Sequence, residues 1–386
     1  MFRRESGQAV AVLARILGDL DRAEEAVQDA FLVALERWPR TGPPDNPAAW
    51  ILTAARNRAI DRLRREKRRP AVEAQLRALG GGEDEDAEPM SAVPDERLSL
   101  MFAVCHPALE PEARVALTLR TLGGLRTSEV ARAFLVGEAA MAQRMVRAKR
   151  KIAAAGIPYA VPREVDLPAR LDSVLATLYL IFNAGYGPPV RAELCAEAIR
   201  LTRVLAALMP DELEARALLA LMLLHDSRRD ARVDASGRLV LLADQDRSAW
   251  DRDEVAEGVA LVPPVASGPY ALQAAIAAEH ATGPDWGRVV ASYDRLMAIA
   301  PTPVVALNRA VAVAERDGPL AGLELVDALE LDRYHLFHAA RADLLRRLGR
   351  VSEARAAYRA ALALAESPVE REFLSRRLAE IGELRR

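Results

Sequence analysis

The chain has 386 residues, of which 51% are hydrophobic, 28% are charged and only 5% are aromatic. This length suggests two to four domains, and the composition is typical of a soluble helical protein, so we predict an all-α fold. No apolar run reaches the roughly 18 residues that a membrane-spanning helix needs, and the N-terminus lacks the apolar stretch of a secretory signal. These features argue against a membrane protein and predict a cytoplasmic location.

Metal, redox and catalytic chemistry find little support in the sequence. The two cysteines, Cys105 and Cys195, are too few for a disulfide framework or a zinc site. His335 and His338 lie three positions apart but have no acidic neighbour in sequence, so we assign no metal. No Gly-rich phosphate loop, G-x-S-x-G elbow or H-E-x-x-H pattern occurs. We therefore predict no cofactor, no catalytic residues and no enzymatic activity.

The net charge of −2 hides a strongly basic segment at residues 55–69. Its sequence, ARNRAIDRLRREKRR, contains only two acidic residues, Asp61 and Glu66. A local cluster of positive charge suits the phosphate backbone of nucleic acid, which it would bind with salt-sensitive affinity. The alternative is a solvated helix face that binds nothing. The segment alone does not decide between these two interpretations.

The first seventy residues predict three helices. Apolar residues recur three and four positions apart over residues 8–38, which is the period of helices with one buried face, and Gly18 separates two such helices. The segment PRTGPPDNP predicts a loop because Pro and Gly are too dense there for a helix. Asn46 is a suitable cap for a third helix over residues 48–69, with apolar side chains on one face and arginines on the other.

A second domain follows an acidic segment. In residues 79–96, Gly, Pro and acidic residues replace all periodicity, which predicts a flexible linker. Residues 97–155 predict about four short helices, and the last two form a candidate helix-turn-helix. Thr127 would cap the first of them, Gly137 lies in the turn, and the second runs over residues 138–151. Basic residues on the exposed side of that second helix suit the major groove of DNA.

The third region, residues 163–386, has helical patterns throughout and contains a repeated spacing of small, apolar and Tyr residues. The offset between the two copies is close to two tetratricopeptide (TPR) periods of about 34 residues. Stacked helix pairs usually present a concave binding surface. We therefore predict a TPR-like helical domain that binds a protein or small-ligand partner. The matching positions are Val289, Tyr293 and Leu296 in one copy, and Ala354, Tyr358 and Ala361 in the other.

Within this third region, charged residues crowd beside the apolar stretch RLVLL. A mixed-charge cluster at such a place can bind a ligand or a partner. The alternative, which we favour for any single residue, is a structural ion-pair network that joins helical layers. The residues concerned are His225, Asp226, Arg228, Arg229, Arg232, Asp234, Asp244, Asp246, Arg247, Trp250 and Asp251.

The order of these parts resembles the sigma-70 superfamily of RNA polymerase sigma factors, and specifically its extracytoplasmic-function (ECF) group. The resemblance covers residues 1 to about 155 and depends on three segments: LGDLDRAEEAVQDAFLVALERW, NPAAWILTAARNRAIDRLRRE and GEAAMAQRMVRAKRKI. In this group, sigma region 2 binds core polymerase and the minus ten element, and a helix-turn-helix, sigma region 4, binds the minus thirty-five element. The resemblance implies region 2 in residues 1–78 and region 4 in residues 97–155.

The resemblance also implies roles for particular residues. In the family, an Asn at the position of Asn57, together with the preceding loop, here residues 43–46, holds a flipped promoter base. The minus ten set is Asn57, Arg58, Asp61, Arg62 and Arg65. The minus thirty-five set is Gln143, Arg144, Arg147, Lys149 and Arg150. The core polymerase-binding set is Asp21, Glu24, Glu25, Gln28, Asp29 and Phe31.

Two features depart from the family pattern. The recognition helix opens with GEAAMAQR, whereas family members more commonly have Ser or Thr before the arginines. Its preferred minus thirty-five sequence therefore stays open. The chain also begins abruptly at Met1, which would leave the first helix about a turn shorter than in family members, and whether the N-terminus is complete stays open.

Residues 163–386 resemble the TPR-like extension of one ECF subgroup, which typically lacks a dedicated membrane anti-sigma partner. The leading hypothesis is a promoter-specificity subunit whose partners are core RNA polymerase and promoter DNA, and whose extension modulates its activity. One alternative is a helix-turn-helix regulator with a ligand-sensing repeat domain, which would bind duplex promoter without polymerase. Another is a repeat scaffold whose basic helix binds acidic proteins.

Overall fold

The computed structural model describes residues 2–66, 95–134, 136–187, 190–234 and 236–383. Within these ranges the chain is all-α, as predicted, with eighteen α-helices. Three short 3-10 helices and an isolated β-bridge between Val233 and Leu239 are the other regular elements there. The predicted linker at residues 79–96 lies outside the described residues except for its last two positions.

The chain divides into two compact units. The N-terminal unit comprises Met1–Ala184 and Ala196–Leu208, and the C-terminal unit comprises Gly185–Cys195 and Met209–Arg386. The predicted start of the extension at residue 163 therefore does not coincide with the division, because most of its first two helices belongs to the N-terminal unit.

The first nine helices build the N-terminal unit, and the last two of them cross into the C-terminal unit. They are α1 Phe2–Leu17, α2 Leu20–Thr41, α3 Pro47–Glu66, α4 Asp95–Val104, α5 Pro111–Thr121, α6 Thr127–Ala133, α7 Glu138–Ala154, α8 Leu167–Tyr186 and α9 Ala192–Leu208.

The helix ends in region 2 follow from local chemistry. Gly18 adopts a φ of 63°, which favours glycine, and ends α1 where the sequence predicted the break. The Asn46 side chain accepts a hydrogen bond of 3.1 Å from the Ala49 N–H, so the predicted cap is confirmed, with α3 beginning one residue early. Helix α2 continues past the expected loop start through Pro39, because a proline in the last turn removes only one backbone bond.

The core of this unit forms where α1 packs against α2, α3 and α4. Leu13 and Ala14 on α1 are fully buried, as is Ile51 on α3. Helix α4 begins at Asp95, so the last two residues of the predicted linker are helical instead. Glu96 is buried there because its carboxylate pairs with the Arg15 guanidinium at 2.5 Å.

The predicted helix-turn-helix is present as α6 and α7, which pack against each other. Val130 on α6 and Met141 and Met145 on α7 are buried. Thr127 is the first helical residue and not the cap. The Arg126 backbone N–H instead donates to the Glu129 carboxylate at 2.7 Å, which satisfies a donor at the start of the helix.

The C-terminal unit continues as a series of helices in which neighbours in sequence pack against each other. Three of them begin at Trp286, Pro319 and Val351, a spacing close to the TPR period of about 34 residues. Of the two matched tyrosines, Tyr358 is buried and Tyr293 is half-buried. The helices are α10 Leu213–Asp226, α11 Arg252–Leu261, α12 Pro269–Thr282, α13 Trp286–Ile299, α14 Pro303–Asp317, α15 Pro319–Asp327, α16 His335–Arg347, α17 Val351–Leu364 and α18 Pro368–Glu383.

Candidate polymerase- and promoter-binding surfaces

Helix α2 presents three residues of the predicted polymerase-binding set to solvent on one face. Asp21, Glu25 and Gln28 are exposed, and their spacing of four and three places them one above another along the helix. Glu24 is only 12% exposed at its side chain, and Phe31 is half-buried. The set is therefore split between an exposed stripe and positions that face the rest of the unit.

Two leucines extend this stripe and were missed by the sequence reasoning. Leu32 is 59% exposed and Leu35 is 60% exposed, although the apolar period had assigned Leu35 to a buried face. Leu32 and Leu35 continue the spacing of four and three that begins at Asp21. Because the two leucines share one face with the exposed polar residues, they add apolar area that a partner protein can cover. The sequence contained the signal that would have identified them, because Leu32 and Leu35 continue the spacing of the polar residues, but only the polar residues were assigned to the binding set.

Helix α3 holds the predicted minus ten set. Asn57, Arg58 and Asp61 are exposed, and the Asn57 side-chain oxygen accepts a bond of 3.3 Å from Arg56. Arg65 lies on the same helix, but its side chain is outside the described part of the chain. The Trp38 and Trp50 rings meet edge to face at 5.5 Å and join the end of α2 to the start of α3.

Arg62 contacts α2 instead of pointing freely to solvent. Its guanidinium pairs with the Glu25 carboxylate and lies 3.7 Å from an oxygen of Asp29. A predicted DNA contact and two predicted polymerase contacts therefore share one ion-pair network.

Asn57 and the loop at residues 43–46 are separated along α3. Asn57 lies about three turns from Asn46, or roughly 16 Å of helix rise. The helix itself therefore does not bring these two parts of the predicted base pocket together, and the pocket stays a prediction.

Helix α7 divides the predicted minus thirty-five set between its faces. Gln143, Arg147 and Arg150 are exposed, and they follow the spacing of four and three that makes one stripe. Arg144 is half-buried and lines a groove of about 260 Å³ together with Arg147 and Glu110.

Lys149 does not lie on that exposed stripe, in contrast to the prediction. It is two residues from Arg147, which turns its side chain by about 200° around the helix. Its ammonium bonds to Asp21 at 2.7 Å and to Glu24 at 2.9 Å, with a side-chain exposure of 12%. Burial alone would lower the pKa of Lys149, but the carboxylates of Glu24 and Asp21 outweigh it and raise the pKa. Lys149 is therefore charged and held by α2.

Tyr159, just after α7, contacts the same end of α2. Its hydroxyl hydrogen-bonds the backbone of Leu20, and burial together with the charges of Asp19 and Asp21 raises its pKa. Region 2 therefore contacts region 4 through the largely buried Lys149, and it contacts the segment after region 4 through the neutral Tyr159.

Family models match both of these regions. "Sigma-70 region 2" matches residues 1–69 and "Sigma-70, region 4" matches residues 99–152. The ECF RNA polymerase sigma factor SigK of Mycobacterium ulcerans is 31% identical over 36% of this chain and 74% of its own length. SigL of Mycobacterium tuberculosis is 29% identical over 36% of this chain and 76% of its own. This chain belongs to the ECF group of sigma factors.

The ECF sigma factor continues well beyond region 4. A "family of unknown function (DUF6596)" matches residues 170–265. An uncharacterized protein of Rhizobium meliloti (strain 1021) is 45% identical over 97% of this chain and 93% of its own length. No solved structure matches this chain. The protein is thus an RNA polymerase sigma factor with an extension of unknown function, and its family implies core RNA polymerase and promoter DNA as partners.

The first two helices of the extension are bonded to region 4 of this sigma factor. On α8, Ser173 donates to the Cys105 backbone carbonyl at 2.5 Å and Arg170 donates to that of Phe102 at 2.8 Å. On α9, Arg200 donates to the Leu122 carbonyl at 2.9 Å. These contacts fix helix ends of region 4 that would otherwise present open carbonyls.

The described residues contain no group of three or more His, Cys, Asp or Glu side chains placed to hold a metal ion. None of the helices in the described ranges combines the length and apolar character needed to cross a bilayer.

Proposed function

We propose that this sigma factor binds core polymerase through α2, the minus ten element through α3, and the minus thirty-five element through α7. The polymerase-binding residues are the predicted set extended by Leu32 and Leu35, and the DNA-binding residues are the two predicted sets. Three exposed stripes support this assignment: an acidic and apolar stripe on α2, a polar stripe containing Asn57 on α3, and a basic stripe containing Arg147 on α7. Polymerase supplies the chemistry, in the cytoplasm, and this chain supplies position.

The contact of Lys149 with Asp21 and Glu24 carries a further part of the proposal. It joins a residue of the predicted minus thirty-five set to residues of the predicted polymerase-binding set. The two surfaces cannot use these side chains for their partners and for each other at the same time. The arrangement described here is therefore a closed, resting state, which opens when polymerase and promoter take over the contacts.

The extension modulates this step, either by packing on the sigma regions or by docking a partner. Arg170, Ser173 and Arg200 support this part of the proposal, because they bond to backbone carbonyls of region 4. A change in the extension that moves α8 or α9 would therefore displace the helices of region 4 that pack against α7.

Run-off transcription with core polymerase tests the promoter assignment. Asn57→Ala should lower specific initiation by about tenfold, because a side chain that pairs with a base edge contributes about 1–3 kcal/mol. Asn308→Ala, an exposed asparagine on α14, is the matched control and should keep full activity. Equal activity of both variants would contradict the role of Asn57.

A cross-link tests the closed state. The variant Asp21→Cys with Lys149→Cys, joined by a short bismaleimide, should lose initiation, since the two regions can no longer separate. Cys105 and Cys195 are buried, and burial raises both of their pKa values, so the reagent should spare them. Lys149→Cys alone, treated in the same way, controls for the modification. Full activity of the cross-linked protein would refute the closed state.

A further inference from the structure

The C-terminal unit gathers basic and aromatic side chains at the end of α10. Tyr186, at the end of α8, places its hydroxyl 3.4 Å from Nδ1 of His225, and the two rings meet edge to face at 5.3 Å. Arg228 and Arg232 follow directly after α10 in the chain. All four side chains are half-buried, so the cluster remains in reach of solvent.

Most charged residues in this part of the chain have a structural partner. Arg229 pairs with the buried carboxylate of Asp226 at 2.8 Å, and Arg238 pairs with Asp234 at 2.7 Å. Asp251 accepts bonds from two backbone N–H groups at the start of α11. For these residues, the charges serve the structure through ion pairs and helix capping, and no ligand is needed to explain them.

Arg228 and Arg232 are different, because each bonds only to uncharged groups. Arg228 donates to Nδ1 of His225 at 3.2 Å. Arg232 donates to the Tyr186 backbone carbonyl, and its guanidinium stacks over the Tyr186 ring at 3.6 Å from the centroid. Among the described residues, no carboxylate lies within 4 Å of either guanidinium. Arg247 also bonds only to backbone carbonyls, those of His280 and Ala281, but Arg228 and Arg232 are the pair that meet over one ring, that of Tyr186.

The electrostatics of the cluster show that neighbouring groups, Asp226 among them, offset this charge only in part. Burial and the charge of Arg228 lower the pKa of Arg232. Burial lowers the pKa of His225 to about 3, with further contributions from Arg228 and Arg232, and His280 is shifted in the same direction. Both histidines are therefore neutral near pH 7, while the two guanidiniums repel each other. Half-buried like charges of this kind are unfavourable without a counter-ion.

We propose that Arg228 and Arg232 bind the oxyanion of a small anionic ligand, a phosphoryl or carboxylate group. Planar guanidiniums match the paired oxygens of both groups and bond to them in a bidentate manner. Nδ1 of His225 accepts from Arg228, so the neutral ring carries its proton on Nε2 and holds the Arg228 side chain in place. This site lies in the extension of unknown function, and its existence does not depend on the sigma activity.

Thermal unfolding of the full chain in different anions tests the site. The probes are inorganic phosphate, acetate and chloride at one ionic strength. Phosphate should raise Tm in a saturable manner if the ligand carries a phosphoryl group, and acetate should do so if it carries a carboxylate, because a ligand of the folded state stabilises it. Chloride is the reference. Equal Tm in all three salts would overturn the proposal.

Two variants identify where the anion binds. Arg228→Gln and Arg232→Gln should each weaken the apparent affinity for the effective anion at least tenfold, whereas Arg316→Gln, an exposed arginine of the same unit paired with Asp317, should not change it. Unchanged affinity in the first two variants would overturn the site.

A second readout separates binding from a merely structural role. In chloride alone, Arg228→Gln should melt at the same temperature as the parent chain or higher, because it removes one of two repelling charges and keeps a donor for His225. If Arg228 only stabilised the fold, its replacement would lower Tm in chloride. A lower Tm in chloride, together with an unchanged anion response, would therefore contradict the proposal.

Discussion

Lys149 in the N-terminal unit and Arg232 in the C-terminal unit are both cations removed from most of the solvent, yet their surroundings differ. Lys149 bonds to two carboxylates at 2.7 and 2.9 Å. Arg232 bonds to a backbone carbonyl and an aromatic ring, and has Arg228 as its charged neighbour. A cation paired with carboxylates stabilises the fold around it, whereas a cation without a carboxylate partner can still bind an anionic ligand. We therefore expect opposite effects when the charge is changed at the two places.

Reversal of the paired charge should have the largest effect. Lys149→Glu would place a third carboxylate against Asp21 and Glu24, and breaking a buried pair in this way costs on the order of 3 kcal/mol. The free energy of unfolding, measured in urea, should fall by about that amount. The double variant Glu24→Lys with Lys149→Glu restores opposite charges and should recover part of the loss. No recovery in the double variant would show that the pair does not join the two regions.

Loss of a hydroxyl in the N-terminal unit should have a smaller effect. Ser173→Ala removes the hydroxyl that donates to the Cys105 carbonyl and accepts from the Arg114 guanidinium, and an unsatisfied buried group costs about 1–3 kcal/mol. Ser227→Ala in the C-terminal unit is the matched control, since that buried hydroxyl bonds only to Leu224, three residues away in the same segment. Urea unfolding should show a larger loss for Ser173→Ala. Equal losses would mean that the extension does not support region 4.

The sequence predicted the helices and their order because the signals were local. Gly18 and Asn46 end and begin helices through their own backbone and side-chain bonds, and Val130 and Met141 follow the helical period. Such signals need no knowledge of distant residues. The family resemblance then supplied the function of an RNA polymerase sigma factor, which the comparisons bear out, whereas the roles of the individual site residues stay predictions.

The sequence did not predict contacts between distant segments. Lys149 was expected on an exposed face, but the nearest carboxylates, Asp21 and Glu24, lie far away in the chain and contact it only after folding. Leu35 fitted the apolar period of a buried face, although nothing in the unit covers it to that extent. The unpaired state of Arg228 was hidden for the same reason: acidic residues are its neighbours in sequence, but they bond elsewhere.

The two units should also respond differently to pH. Burial, Arg228 and Arg232 lower the pKa of His225 to about 3, whereas a histidine in the unfolded chain titrates near 6.5. Between these values the unfolded chain binds a proton that the folded chain does not, so stability falls as the pH falls below about 6.5. The raised pKa of Lys149 acts at the other end: its contribution is fully present below 10.5 and is lost only as the pH rises through the folded pKa.

Urea unfolding at pH 7.5 and pH 5.5 tests this difference. His225 should account for about 1 kcal/mol of the loss of stability between these two pH values, because the unfolded histidine is mostly protonated at the lower one. His225→Gln removes the titrating group and should reduce the loss by that amount. Asn308→Ala, on α14 of the same unit, removes no titrating group and should keep the loss of the parent chain. If His225→Gln and the parent chain lose the same stability, the ring is protonated as readily in the fold as in the unfolded chain. The two arginines beside it would then already have an anion or another neighbour to offset their charge.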